Sequence, residues 1–189
     1  MKNTAVALLS AAMLALSAGS TQAALQVGAK APDFTVAAAL GGKPFTFALA
    51  DALTRGPVVL YFFPKAFTTG CTIEAHAFAE ATARFNALGA TVIGVSNDDA
   101  DTIRRFSLEA CRSQFAVAAD ADSKVIKAYD AKMTLMPGMA DRISYVIDRS
   151  GRIVYTYSSL SPEGHVANTL KVVEGLAAGA KGSSEQTKP

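Results

Sequence analysis

Val58-Val59-Leu60-Tyr61-Phe62-Phe63-Pro64-Lys65-Ala66-Phe67-Thr68-Thr69-Gly70-Cys71-Thr72 carries a lone cysteine from an apolar run, through a Pro/Thr/Gly turn, to the start of a helix. The run up to Phe63 is β-branched, aliphatic or aromatic throughout, which is the composition of a strand buried on both faces of a sheet. Pro64 stops it. Ile73 to Leu88 is alanine-rich and helix-forming, so Cys71 falls near the first turn. There the unpaired N–H groups and the positive end of the helix dipole favour an anion. Thiols in such settings ionise more readily, and only the thiolate is a nucleophile.

Outward from this stretch the chain alternates strand and helix patterns. Thr91 to Ser96 reads as a second buried strand, which makes a βαβ unit with the first. Asn97-Asp98-Asp99 supplies capping residues for a helix from Asp101 to Cys111, on which Ile103, Phe106 and Ala110 share an apolar face. Phe115 to Ala119 reads as a strand, Ser123 as the cap of a helix through Tyr129, and Met133 to Met139 as a loop. Ile143 to Asp148 and Arg152 to Tyr157 flank Arg149-Ser150-Gly151 as a hairpin, and Pro162 opens a last helix to about Ala178. Before the quoted stretch, Phe34-Thr35-Val36 and Phe45-Thr46-Phe47 form a small hairpin about Gly41-Gly42-Lys43-Pro44, and Asp51 to Arg55 a helical turn. The whole is an α/β chain with a central mixed β-sheet flanked by helices, on the thioredoxin-like plan.

The chain has 189 residues, half of them apolar, enough for one domain with its own core. Its net charge of +2, without a long basic run, offers no electrostatic footprint for nucleic acid. Met1-Lys2-Asn3, an apolar stretch from Ala5 to Ala18 and small residues up to Ala23 form a secretory signal pattern, so residues 1–23 are expected to be a leader and the chain periplasmic. The apolar stretch is short for a membrane span, which needs about 20 residues, and no membrane association is expected once the leader is gone. The domain then occupies 24–178, and 179–189, rich in glycine, serine and charge, reads as a disordered tail. Cys71 and Cys111 are the two cysteines; an exported protein can use such a pair as a structural disulfide or in chemistry. With two histidines, His76 and His165, a His-rich metal site is not expected.

Pro64-x-x-x-Thr68-x-x-Cys71 resembles the active-site motif of the peroxiredoxins, and Phe62 to Thr72 is similar to the PrxQ type, the bacterioferritin comigratory proteins. Ala31-Pro32-Asp33-Phe34, Gly94-Val95-Ser96-Asn97-Asp98 and Asp141-Arg142-Ile143-Ser144-Tyr145-Val146-Ile147-Asp148 extend the resemblance from about Val27 to Leu176. It implies Cys71 as peroxidatic nucleophile, Thr68 as hydrogen-bond partner of the peroxide, Pro64 as cover of the pocket and Arg142 as stabiliser of the developing charge. It also implies a peroxide substrate, a thioredoxin-like dithiol reductant and no metal or organic cofactor. Read from the residues alone, Arg142 could be a solvated strand end and Thr68 ordinary turn chemistry. Glu74 could orient Arg142 or only favour the helix N-terminus.

Many PrxQ-type proteins carry a resolving cysteine where this chain has His76. By the same resemblance Cys111 takes that role, as in a subset of the family, in a monomer or weak dimer. The competing readings are a one-cysteine peroxiredoxin with Cys111 structural, and an exported thioredoxin-like disulfide oxidoreductase; the latter usually needs Cys-x-x-Cys, and Thr68 stands at the first place. Cysteines on two separate helices seldom lie within the roughly 7 Å between Cα atoms that a disulfide needs, so oxidation is expected to unwind both locally.

Overall fold

The computed structural model describes residues 24–185; the expected leader at 1–23 and the last residues of the expected tail lie outside them. The elements are β1 (Thr35–Leu40), β2 (Lys43–Ala48), α1 (Leu49–Arg55), β3 (Val58–Phe62), α2 (Thr69–Ala87), β4 (Thr91–Ser96), α3 (Ala100–Glu109), β5 (Ala116–Ala119), α4 (Lys124–Ala128), β6 (Ile143–Ile147), β7 (Ile153–Ser158) and α5 (His165–Glu185). One seven-stranded sheet has the order β2-β1-β5-β4-β3-β6-β7. β4 runs parallel to β3 and β5, whereas β6 runs antiparallel to β3 and β7, and β1 antiparallel to β2 and β5. This is the thioredoxin-like mixed sheet.

β3 lies inside the sheet and is buried along its whole length, and its two-residue alternation builds both halves of the core. Val58, Leu60 and Phe62 pack with α1 and α4 residues such as Ala52, Val125 and Ile126. Val59, Tyr61 and Phe63 pack on the other face with Phe78 of α2, Ile103 and Phe106 of α3 and Val173 of α5. Both cysteines belong to that second cluster.

Several boundaries differ from the expected ones for local reasons. Lys43 and Pro44 begin β2 instead of sitting in the turn, because Gly41 and Gly42, at φ +55° and +77°, complete a two-residue hairpin by themselves. Pro44, which lacks an N–H, is tolerated because β2 is a sheet edge. Ser123 precedes α4 but makes no side-chain cap bond; at φ +55° it lacks the extended conformation from which a cap reaches forward. The Asp120 carboxylate accepts from the Ile126 N–H at 2.8 Å instead, and Asp122 from the Lys124 N–H at 3.2 Å. α5 begins at His165 and not at Pro162, because Gly164 at φ +87° interrupts the helical path. It also continues beyond Ala178 to Glu185, since each added residue of a formed helix gains a hydrogen bond without a new nucleus.

Gly94 of β4 leaves room for the Tyr61 ring: a Cβ built there meets Tyr61 ring and hydroxyl atoms at 2.7 to 2.8 Å. Tyr61 cannot recoil, because its ring stacks on Phe78 at 4.4 Å between centroids. Gly94→Ala is therefore expected to lower stability by about 1–3 kcal/mol through overpacking, measured as a fall in the urea midpoint at unchanged slope.

Candidate active site

Helix α2 opens at Thr68, whose side chain makes no cap hydrogen bond to its own helix. Its hydroxyl donates to the Lys65 carbonyl at 2.9 Å, which tightens the preceding turn and keeps the oxygen's lone pairs available. The first N–H groups of α2, including that of Cys71, thus have no Thr68 side chain on them. Cys71 itself is buried, and Arg142 Nη2 donates to its Sγ at 3.4 Å. Thr68 is exposed, and Arg142 is the side chain in hydrogen-bond contact with the sulfur. Gly70 makes that contact possible, since a Cβ there would lie 3.2 Å from Arg142 Nη2.

Arg142 immediately precedes β6 and is buried. Besides the sulfur it binds the Glu74 carboxylate through Nη1 and donates from Nε to the Leu160 carbonyl at 3.0 Å. Of the two readings of Glu74, orientation of Arg142 is the one the geometry supports. Burial works against the Arg142 charge, but Glu74 and Cys71 beside it more than compensate and hold the guanidinium above its usual value. Glu74 is pushed up to about 8 by burial, against the downward pull of Arg142.

The loop from Phe63 to Thr68 is anchored from below by Asp98. The buried Asp98 carboxylate accepts from the Ala66 N–H at 2.8 Å and the Ser96 hydroxyl at 2.9 Å, and pairs with Lys65 at 2.5 Å. Of the three residues expected to cap α3, only Asp99 does so, accepting from the Thr102 N–H at 2.8 Å. Pro64 is half-buried at the loop's start. Phe67 has φ +65°, a left-handed conformation rare for a bulky residue, and its ring meets Phe106 of α3 edge-on at 5.2 Å.

Cys111 lies just beyond α3, which ends at Glu109 instead of Cys111 because Arg112 and Ser113, at φ +49° and +59°, turn the chain away. It is fully buried, its thiol is free, and burial pushes its ionisation far up. His76, on α2, is half-buried.

Sequence reasoning missed His165 and Ser144. His165 is completely buried; its Nδ1 lies 2.8 Å from Ser144 Oγ and 3.6 Å from Glu74 Oε1, and its Nε2 lies 3.0 Å from the Ser159 carbonyl. Burial pulls the imidazole below its ordinary value. A lone histidine at a helix start carries no signal of this, but Ser144, a hydroxyl inside an apolar strand, was a legible sign of a polar partner.

A mixed thioredoxin-type sheet that sets one helix-start cysteine against a buried arginine defines a thioredoxin-fold protein that presents a thiol to a guanidinium. The model of the AhpC/TSA family matches residues 27–156, and the chain belongs to that family. It is 37% identical over 121 residues to a protein of Triticum aestivum named peroxiredoxin Q, chloroplastic, a match covering 64% of this chain and 55% of that one. With the peroxiredoxin Q of Oryza sativa subsp. japonica it shares 34% identity over 151 residues, 79% of this chain and 67% of the relative. The match thus spans little more than half the length of the wheat protein. Among solved structures, peroxidoxin BcpB from Mycobacterium tuberculosis superposes with a TM-score of 0.72 at 27% identity, covering 80% of this chain and 97% of that one. A mutant of PrxQ from Xylella fastidiosa gives 0.72 at 25% identity, with 81% and 98% covered.

Because the folded state holds the Glu74 proton more tightly than the unfolded chain does, its contribution to stability is complete below the ordinary value of 4.5 and is lost as pH rises through about 8. The thermal midpoint of the reduced protein is expected to decline across that window. Glu74→Gln should flatten the decline, as read by calorimetry at several pH values.

Proposed function

We propose that the protein is a thiol-dependent peroxidase that reduces hydrogen peroxide and organic hydroperoxides through a Cys71 sulfenic acid. The observation that carries the reading is the Arg142 Nη2 to Cys71 Sγ contact of 3.4 Å at the N-terminus of α2. A guanidinium donor can make a charge-assisted hydrogen bond to an anionic sulfur. Family membership and relatives named peroxiredoxin Q support the same reading.

In this mechanism the Cys71 thiolate attacks one peroxide oxygen in line with the O–O bond. The S–O bond forms, the O–O bond breaks, and the departing oxyanion takes a proton to leave as water or an alcohol. The guanidinium of Arg142 and the Cys71 N–H stabilise charge as the O–O bond lengthens, and the Thr68 oxygen accepts from the peroxide hydrogen. Pro64 shields the sulfur from bulk water. The reacting atom is the sulfur, and the scheme calls on no metal or organic cofactor.

Cys111 resolves the sulfenic acid in this proposal: its sulfur attacks the Cys71 sulfur, water leaves and an intramolecular disulfide forms. A thioredoxin-like dithiol then reduces the disulfide by exchange. The membership of both cysteines in one core cluster supports this pairing. The second reading, a one-cysteine enzyme, draws on the complete burial of Cys111. The leader pattern at residues 1–23 supports a periplasmic site of action in this proposal, with a dithiol partner supplied on that side of the membrane.

Cys71→Ser is expected to abolish peroxide consumption, and Arg142→Gln to slow the first turnover by about 10²- to 10³-fold, as for loss of one transition-state donor. Cys111→Ser should keep the first turnover, measured by stopped flow, and lose thioredoxin-supported cycling. Undiminished cycling by that variant would remove Cys111 from the resolving role and favour the one-cysteine reading.

A further inference from the structure

The charges behind Cys71 do not balance with the groups used so far. Arg142 is one cation, while a Cys71 thiolate and a Glu74 carboxylate are two anions on its two terminal nitrogens, all within a buried site. Glu74 Oε1 is moreover buried without a hydrogen-bond partner among the described residues, and what it faces, at 3.6 Å, is His165 Nδ1. The other ring nitrogen, Nε2, lies 3.0 Å from the Ser159 carbonyl oxygen, which only accepts, so Nε2 carries a hydrogen. In the neutral ring Nδ1 then accepts from the Ser144 hydroxyl at 2.8 Å, so the ring has no hydrogen to offer Oε1. A buried carboxylate oxygen that shares its one cation with a thiolate and receives no donor is unfavourable unless it carries a proton.

We propose that Glu74 carries a proton on Oε1 while Cys71 is a thiolate, and that this proton is released when the charge on the sulfur is discharged. The inference rests on the reading of Cys71 as the peroxide-reactive thiolate. Glu74 touches no substrate and acts through Arg142, so it is a positioning residue, and His165 positions it in turn. With the proton in place, the thiolate is the only full anion on Arg142; once the sulfur is neutral, the carboxylate takes that part. The buried cluster is neutral in both states.

Atoms and charges balance on the same count. Thiolate, hydroperoxide and one proton give sulfenic acid and alcohol or water, and the sulfur loses its negative charge in the step that consumes the proton. The number of protons that Glu74 gives up equals the number the departing oxyanion takes.

The surroundings agree with a proton resting mainly on the carboxyl. Burial raises Glu74 to about 8 and lowers the imidazole. The groups facing the pair are Cys71 from α2, Arg142 and Ser144 from the β6 side, Tyr61 from β3 and Tyr157 from β7. Tyr61 is kept neutral by burial and by the nearby Cys111, Glu74 and Cys71, and its buried hydroxyl has no partner among the described residues. The Tyr157 ring packs edge-on against the imidazole at 4.7 Å and turns its hydroxyl to the Glu163 carbonyl at 3.5 Å. Arg142 is the only cation facing the pair among the described residues.

Infrared difference spectroscopy on the full chain tests this directly, comparing reduced wild type with Cys71→Ser at neutral pH. The expected result is a protonated carboxyl C=O band in the reduced wild type that Cys71→Ser lacks. The band should move on labelling with ¹³C-glutamate, vanish in Glu74→Gln, and shift in frequency in His165→Gln at unchanged circular dichroism. The isotope shift identifies a glutamate even if Glu74→Gln does not fold. A band of equal size in both proteins, a band absent from both, or one that survives in folded Glu74→Gln overturns the proposal. Cys71→Ser removes the charge without any peroxide, so a wild type that fails to consume peroxide counts against the proposed function and leaves this comparison intact.

Discussion

Buried Arg142 reaches the Glu74 carboxylate and the Cys71 sulfur on one helix and the Leu160 carbonyl beyond β7, and the reactive end of the molecule is organised around that one guanidinium. Desolvating a carboxylate and a guanidinium costs several kcal/mol per ion, recovered only where the geometry satisfies nearly every donor. A lysine could not do this from the same place, since three separate acceptors in fixed directions suit a planar fork of five N–H groups and not a point charge. The segment between β7 and α5 serves both members of the system. The Ser159 N–H donates to the Arg142 carbonyl at 3.2 Å, while the Ser159 carbonyl faces His165.

These groups meet because of strand register. Phe62 of β3 pairs with Val95 of β4 and with Ile143 of β6, so the residues just past the ends of β3 and β4 and just before β6 share one edge of the sheet. The loop to Cys71 leaves β3 there, Asp98 leaves β4 and Arg142 enters β6. The parallel strands thus present their carboxyl ends to the site, where α/β folds place ligands, and the antiparallel β6 adds the arginine by running the other way. A one-residue slip of β6 would send Ser144 and Arg142 to opposite faces from those they occupy, which separates the sulfur from its cation and His165 from its hydroxyl.

The strands were legible because each is short, apolar and bounded by turn residues. Thr91 to Ser96 was read with its observed limits, and β3 differs only by Phe63, whose N–H still bonds to Val95 at 3.1 Å. Cys71 and Arg142 were legible through local motifs. What lay beyond reading depended on contacts between distant segments. Asp98 looked like one of three equivalent capping residues, yet its carboxylate points inward to the Ala66 N–H, and only the fold brings those residues together. His165 gave no pattern at all, because its meaning comes from Glu74 and Ser144 on other elements. Backbone signs set the helix ends: Ser123, Arg112 and Ser113 adopt left-handed conformations that their residue types do not announce.

The same left-handed residues bear on how two buried thiols can meet. Phe67, just before α2, and Arg112 and Ser113, just after Cys111, hold unfavourable backbone conformations, and each lies within a few residues of a cysteine. Such conformations persist only while surrounding contacts impose them. For Phe67 those contacts are the Phe106 ring and the Arg105 guanidinium, 5.2 Å from its ring centroid, both on α3. For the turn after Cys111 they include the Ser113 N–H to Ser107 carbonyl bond at 3.0 Å and the Arg112 ion pair with Glu80 of α2. The two cysteine segments therefore brace each other through α3, and loosening one removes contacts that hold the other in its strained form. Under the proposed resolution by Cys111, local unwinding at the two sites would therefore be one coupled event, in which loosening the Cys71 segment lowers the free energy needed to expose Cys111.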